Sequence, residues 1–528
     1  MFQKIRELSK NLAIYGLGDV AIQLVNFLLL RVYVEYLTKE DYGVLALLGS
    51  VEAITKLFFR WGVDGSFMRF WYDCADDRAR QRLSSTLFIF LLAINGVLLA
   101  AAVAAAPMCS AWLGGERHTL ALQLVLVNTF AIGFTFIPFH VLRMEKRARE
   151  FSLLAFARSF STLVLRLVLV VGLGYGVMGV VAADLVVTAV LLAVMVPMFA
   201  PLIRPAFSPA TLRDALKFGL PRVPHGFAQQ VMAVGDKFVL TWFVPLEVVG
   251  LYAMGVSVGL IQKVFLAAFE YAWAPFYYAT VREPGAQRIF SAVTTYGVAV
   301  LALMTAGLSA IAADLLTVVT GGQYTAAAGV VAWTSLGVLF QGVYLMTSIG
   351  LNITRRTQYY PVATAIAAAA NIGLNFALIP RYGIMGAAYA NGIAYAIQAA
   401  IAFYFSQRVY PVAYETGRLL RIAVAAVLAY VMAAALPSMP SLAGVIVRGT
   451  TVVAIMAVSL WAGGFLRPEE LAVLERVKRA RTTPAPPPAE TTELAGEIVA
   501  ADLPDPADAR LAADAERSRA GREEEPSR

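Results

Sequence analysis

The sequence predicts an all-α integral membrane protein of about fourteen transmembrane helices. Three observations lead there: a low charged fraction, apolar runs of spanning length repeated along the chain, and an alternation of basic residues between them. Of 528 residues, 59% are apolar and only 15% charged, whereas soluble domains carry roughly 25% charged residues. Runs of about twenty mostly apolar residues are long enough to cross a hydrocarbon core. Lipid offers no hydrogen-bond partners to the backbone, so such runs are helices.

The spans fall at 12–34, 42–64, 84–106, 119–141, 152–173, 177–199, 219–243, 251–279, 289–312, 326–350, 361–379, 385–407, 422–436 and 443–466. Lys4, Arg6 and Lys10 precede the first run, which is too long for a signal-peptide core and lacks a small-residue cleavage site. It is therefore read as span 1. Cys74 and Cys109 flank span 3 at opposite ends, which excludes a disulfide between them. With the N-terminus inside, the cytoplasmic segments hold 26 Lys and Arg, against 3 (Lys39, Arg117, Arg381) in the outer loops. Such a bias is the positive-inside rule, and one misplaced span would scramble it. Both ends are thus expected in the cytoplasm. From Thr482 the chain is rich in Pro, Ala, Glu and Asp, with 11 acids against 5 arginines. It cannot bury enough apolar surface to fold, so 482–528 reads as a disordered cytoplasmic tail.

Two stretches repeat at one offset. Tyr175-Gly-Val-Met-Gly179 recurs as Tyr382-Gly-Ile-Met-Gly386, and Tyr36 to Glu40 with Gly43 recurs as Phe243 to Glu247 with Gly250, each 207 residues later. The repeating unit is six helices. This predicts an N-lobe (1–200, helices 1–6) and a C-lobe (201–410, helices 7–12), with helices 13–14 and an amphipathic end at 411–481. An even unit keeps both lobes in one orientation, so their pseudo-two-fold axis lies along the membrane normal, with a binding site between the lobes. The offset pairs Lys56 with Lys263 and Gln23 with Gln230.

Charges inside spans are costly and mark cavities or partners. The cations are Arg31, Lys56, Arg60, Arg158, Arg166, Arg222, Lys237 and Lys263; the acids are Asp19, Glu52, Asp64, Asp184, Asp236 and Glu270. Glu52 and Lys56 are spaced to neutralise each other on one helix face. Asp236 and Lys237 are adjacent, about 100° apart around a helix, and are not expected to pair. Arg60, Asp64 and Arg222 lie near cytoplasmic ends, where they either snorkel or line a path. Lys56, Lys263 and Arg166 lie deeper and are expected to line a hydrated cationic cavity, with Arg60, Arg222, Lys237, Gln23 and Gln230 beside them. Arg31 is a candidate contact on the exit side. Such a cavity wants an anion, and a pyrophosphate suits it. Asp19, Glu52, Asp236 and Glu270 are candidates for coupling protons, or they simply balance lysines.

Other chemistry is not indicated. Gly174-Tyr-Gly176-Val-Met-Gly179 has dinucleotide-site spacing but sits in an outer turn with no strand before it. His118, His140 and His225 are scattered. P-loops and Cys/His nucleophile pairs are absent from the sequence. Neither catalytic residues, metal, cofactor nor nucleic acid is expected.

The sequence resembles the polysaccharide-biosynthesis flippases of the multidrug/oligosaccharidyl-lipid/polysaccharide exporter superfamily. Tyr36-Leu-Thr-Lys-Glu-Asp-Tyr-Gly-Val-Leu-Ala-Leu, Gly62-Val-Asp and Arg69-Phe-Trp-Tyr72 are similar to the family's opening. So are Phe218-Gly-Leu-Pro221 with Asp236-Lys237 and Gly250-Leu-Tyr252, then Asn371 to Asn375 and Ile379 to Ala388. The resemblance implies a flippase for an undecaprenyl-pyrophosphate-linked oligosaccharide (an O-antigen, capsule or exopolysaccharide unit). It would work in a bacterial inner membrane by alternating access, with spans 1, 2, 7 and 8 lining the cavity. Membrane lipids and other glycan assembly proteins are the expected partners. A multidrug/cation antiporter of the same fold and a peptidoglycan-precursor flippase are the alternatives.

Overall fold

The computed structural model describes residues 30–467 apart from positions 438 and 440, and every regular element among them is helical. Twelve of the described helices are long and apolar enough to cross a membrane. Span 1 lies outside the described residues up to position 29, taking Asp19 and Gln23 with it; residues 30–36 are helical. The region after Arg467, including the acidic tail, also lies outside them.

In order, α1 (Lys39–Arg60), α2 (Val63–Trp71) and α3 (Asp77–Cys109) cover spans 2 and 3. The first helix begins where the sequence dictates. Thr38 Oγ1 accepts the Asp41 N–H at 3.1 Å, and the Asp41 carboxylate accepts the Thr38 N–H at 3.1 Å. This reciprocal cap satisfies two otherwise unpaired donors at a helix start. α3 begins seven residues before the expected apolar run because Asp76 caps it, accepting from the Ala79 N–H at 2.7 Å. Span 4 is split into α4 (Thr119–Gly133) and α5 (Phe136–Met144). Spans 5 and 6 are α6 (Ala148–Leu167), continued by a π turn at Val168–Gly172, and α7 (Gly176–Phe199).

The amphipathic α8 (Pro209–Gly219) has no counterpart among the expected spans; it precedes α9 (Val223–Leu240), which supplies span 7. Spans 8 to 12 follow as α10 (Leu246–Gly259) with α11 (Lys263–Thr280), α12 (Ala286–Thr320), α13 (Ala328–Thr347) with α14 (Ile349–Ile353), α15 (Tyr359–Tyr382) and α16 (Ile384–Val409). Spans 13 and 14 are α17 (Thr416–Ala434) and α18 (Ser441–Ala462).

Besides spans 4 and 10, spans 2 and 8 are broken where the sequence predicts continuous helices. Span 2 stops at Trp61 and Gly62, both left-handed at φ 50° and 69°, and resumes as α2. Gly62 lies so close to the Gly219 carbonyl that a Cβ on it would overlap. The break therefore serves a backbone contact with the end of α8, which hydropathy does not register. Span 8 breaks at a short turn, Leu260–Gln262.

The duplication has structural counterparts. The chain leaves α5 with Lys146 at φ 59° and bonds Arg147 N–H to Leu142 O at 2.8 Å; it leaves α14 with Arg355 at φ 58° and bonds Arg356 N–H to Leu351 O at 2.8 Å. Both are Schellman-type stops, falling between spans 4 and 5 and between spans 10 and 11. At the N-terminal ends of α1 and α10, Gly43 packs on the Leu246 carbonyl and Gly250 on the Lys39 carbonyl, each too closely to admit a Cβ. Residues 39 and 43 lie 207 before 246 and 250, so the contact maps onto itself when the two halves are exchanged. An isologous contact of this kind is what two-fold symmetry produces.

α17 and α18 pack on α12. Arg448 Nε lies 3.2 Å from the Asp314 carboxylate within the packed layer, and the Arg418 guanidinium stacks 4.2 Å from the Phe465 ring centroid.

Overpacking a close contact costs typically about 1–3 kcal/mol. Gly43→Ala and Gly250→Ala should therefore each lower the Tm of the detergent-solubilised protein by several degrees. Gly49→Ala, on the same helix with no atom near its Cβ position, should leave the Tm unchanged.

Candidate functional site

The sequence places Glu52, Lys56, Arg60 and Asp64 at four-residue spacing, and the helix carries them along one face of α1 to the start of α2. Arg60 Nη1 bonds Asp64 Oδ2 at 2.7 Å. Lys56 is half-buried beside Glu52, Arg60 and, from α6, Arg158. Among the described residues, neither Lys56 nor Arg158 has an ion-pair partner within 4 Å; both share the field of Glu52. Arg158 is the residue that sequence reasoning passed over: it was recognised as an intramembrane charge but not selected, since no repeat partner singles it out.

Arg166, expected as a free cavity cation, is already neutralised. Its Nε and Nη2 bond the two Asp184 oxygens at 2.9 and 2.6 Å, and its Nη1 donates to the Tyr33 hydroxyl at 3.0 Å. The fork geometry matches a carboxylate bidentately, so this group holds α6, α7 and the end of span 1 together. Arg31 is likewise occupied, with Nη1 donating to the Val318 and Val319 carbonyls at 3.2 and 3.3 Å. These are the last carbonyls of α12, whose helix dipole favours a cation there.

In the second half, Asp236 is 1% exposed. It accepts from the Tyr252 hydroxyl and from the Lys237 N–H, the latter at 2.8 Å. Contrary to the expectation from helical angles, Lys237 Nζ lies 3.8 Å from Asp236; the long lysine stem reaches back. Asp236 thus has hydrogen bonds and a charge partner of its own. Lys263 opens α11, and its one charged neighbour among the described residues is Lys237. Lys56 and Lys263 therefore belong to separate clusters with no shared charged neighbour. Gln230 is half-buried on α9, Glu270 is exposed on α11, and the exposed Arg222 lies 4.6 Å from the Phe218 ring. Asp19 and Gln23 lie outside the described residues. Gln262, which no sequence signal singles out, is fully buried at the span 8 break, and its Nε2 donates to the Ser335 carbonyl.

The first and second halves touch at both ends of the bundle. At one end, besides the Gly43/Gly250 contact, Tyr42 meets Ser257 at 3.3 Å and the Tyr324 ring edge-on at 6.1 Å, while Lys39 lies over Tyr324. At the same end, Arg117 joins Glu40 to His118, donating to His118 Nε2 at 3.0 Å. Burial, then the Arg117 charge, hold this imidazole below its ordinary pKa, as an acceptor requires. At the other end Ser66 donates to the Ala215 carbonyl at 2.7 Å, and Phe58 packs on Phe227 at 5.5 Å. An apolar pocket of about 460 Å³ on α3, lined by Ile89, Phe90, Ala93, Ile94, Val97 and Phe207, carries no charged group and is not an anion site.

The model of the family described as polysaccharide biosynthesis protein matches residues 35–329, more than half of the chain. The chain belongs to that family. Several solved structures share the fold of this polysaccharide biosynthesis protein. The lipid II flippase MurJ in an inward closed conformation matches with a TM-score of 0.65 at 13% identity, covering 85% of this chain and 99% of the other. An inward-facing multidrug resistance MATE transporter of the MOP superfamily matches at 0.61 and 15% identity, covering 74% and 97%. A MATE transporter in a straight conformation matches at 0.53 and 18% identity, covering 77% and 95%. No curated protein sequence matches significantly. At these identities the structural likeness shows the fold of a membrane transporter; the sequence family supplies the link to polysaccharide.

The Arg166–Asp184 assignment makes a prediction. Asp184→Asn leaves a guanidinium without its counter-charge, at a cost of roughly 1–3 kcal/mol, and should lower the Tm. The double variant R166L/D184L should recover most of that loss. An unchanged Tm in Asp184→Asn would show that the pair does not hold these helices.

Proposed function

We propose that the chain is a flippase that carries an undecaprenyl-pyrophosphate-linked oligosaccharide across a bacterial inner membrane by alternating access. The observation that carries this reading is the Lys56–Arg158 pair of cations. Within the membrane-spanning part of a polysaccharide biosynthesis protein, they share one carboxylate and have no ion-pair partner among the described residues. Leaving them so is costly in hydrocarbon and is offset when an anion arrives. A pyrophosphate supplies that anion: arginine grips its oxygens in a fork and lysine adds a mobile point charge.

The lobes are 1–200 and 201–410, followed by 411–481 and a cytoplasmic tail at 482–528, with both termini in the cytoplasm. The self-complementary Gly43/Gly250 contact supports this division and lies where the outer gate would close. Lys263 with Lys237 forms the C-lobe's cationic counterpart. The chain acts as a carrier without a catalytic step, alongside other glycan assembly proteins and membrane lipids. An antiporter for cationic drugs needs acids free to meet a cation; Asp64, Asp184 and Asp236 are each already matched to a basic side chain and Glu52 shares the field of Lys56 and Arg158, which leaves Glu270 as the exception among the described residues. Arg166, Arg31 and Asp236 serve the helix framework in this reading, while Arg60, Arg222, Gln230 and Glu52 flank the path.

Each charged hydrogen bond contributes about 1.5–3 kcal/mol, so removing one cation should weaken phosphate binding roughly ten- to hundred-fold. Lys56→Ala and Arg158→Ala should each reduce surface glycan in a strain depending on this chain, and Lys56→Ala with Lys263→Ala should abolish it, at unchanged protein level. Full surface glycan in the double variant would remove these lysines from the site.

A further inference from the structure

We infer that the sugar portion of the cargo is bound apart from its phosphates, in a tyrosine-lined cleft of the second half between the inner parts of α9 and α11; this rests on the flippase reading. α9 and α11 hardly touch each other, and the space between them is floored by side chains from α13 and α15. Tyr344 and Tyr360 pack there with ring centroids 6.0 Å apart, and His225 of α9 lies 6.4 Å from Tyr360. Tyr278 of α11 lies within electrostatic reach of Tyr360, and Glu270 of α11 within electrostatic reach of Tyr344.

The open face of α11 is wet. Glu270 is exposed and has no ion-pair partner among the described residues. It sits ten residues before the helix end at Thr280, about 15 Å along the axis, too deep to reach the headgroups and too costly to leave in hydrocarbon. Tyr271 and Tyr278, 57% and 55% exposed, stand on the same side of the helix. An interfacial aromatic belt would account for Tyr278 alone, but not for a carboxylate above it or for tyrosines of α13 and α15 behind it.

The chemistry is that of a saccharide site. Phenol rings offer flat faces to the C–H side of a pyranose and hydroxyls to its edge, at little entropic cost. Glu270 accepts from sugar hydroxyls. His225 Nδ1 is buried beside these rings with no hydrogen-bond partner among the described residues. Few precisely placed polar groups on an aromatic wall is the usual make-up of a selective pocket. The cations Lys56 and Arg158 are on other helices, so headgroup and glycan are read by different parts of the chain.

The test uses the full-length protein in nanodiscs and two probes. One is lipid-linked glycan extracted from cells making the polymer; the other is undecaprenyl pyrophosphate itself, which carries no sugar. The wild type should bind the glycosylated lipid at least tenfold more tightly. Y271A/Y278A, which truncates exposed rings, should erase that difference and leave affinity for the bare lipid unchanged, while Tyr278→Phe should retain it. Lys56→Ala should weaken both probes equally. Equal affinity of the wild type for the two probes, or an undiminished difference in Y271A/Y278A, overturns the cleft assignment and leaves the flippase reading standing. Failure of the wild type to bind either probe overturns the flippase reading itself.

Discussion

An ionised side chain in hydrocarbon must be matched by a counter-charge, wetted, or left to meet a ligand. That constraint organises the membrane-embedded polar groups of this protein. Arg166 with Asp184, Arg60 with Asp64, Arg448 with Asp314 and Lys237 with Asp236 are matched within 4 Å. Two of the pairs join helices: Arg166 and Asp184 link the neighbouring α6 and α7, and Arg448 and Asp314 link α18 to the distant α12. Arg31 is settled differently, on the carbonyl end of a helix. Once these are set aside, Lys56 and Arg158 stand out, and it is their incomplete compensation that a charged cargo would complete.

Backbone contact supplies the second constraint. Dispersion and close approach replace the hydrophobic effect as the force between helices in lipid, which favours small residues at crossings. Gly43 against Leu246 and Gly250 against Lys39 form such a crossing, and Gly62 against Gly219 another near the opposite end. Contacts of this kind separate without breaking ion pairs. A carrier that must open one mouth and close the other benefits from having its halves joined by glycine and ring contacts more than by buried charge.

Twelve of the fourteen expected spans were legible in the sequence, in their order, because hydropathy reports on long apolar helices directly. The duplication was legible too, at Gly43/Gly250 and at the Tyr-Gly-x-Met-Gly segments, since turn and crossing glycines tolerate little change. The break at Trp61–Gly62 and the helix α8 were not. Both are decided by contact between distant segments, and an amphipathic eleven-residue helix carries no spanning signal. For the site, charge inside a span pointed to Lys56, while Arg166 was misjudged because Asp184 lies eighteen residues away across a π turn and loop. Asp236 and Lys237 mislead in the other direction: helical angles separate their Cβ atoms, but a four-carbon stem closes the gap to 3.8 Å.

The central claim is that Lys56 and Arg158 receive a lipid-linked pyrophosphate during its passage between leaflets. Purified protein reconstituted into liposomes with a fluorescent polyprenyl-pyrophosphate saccharide tests it, the readout being the fraction of label that becomes accessible to an impermeant quencher. Wild-type protein should equilibrate the label between leaflets, whereas K56A/R158A, folded with an unchanged Tm, should be no faster than protein-free liposomes. Equal transfer by the variant and the wild type would contradict the account.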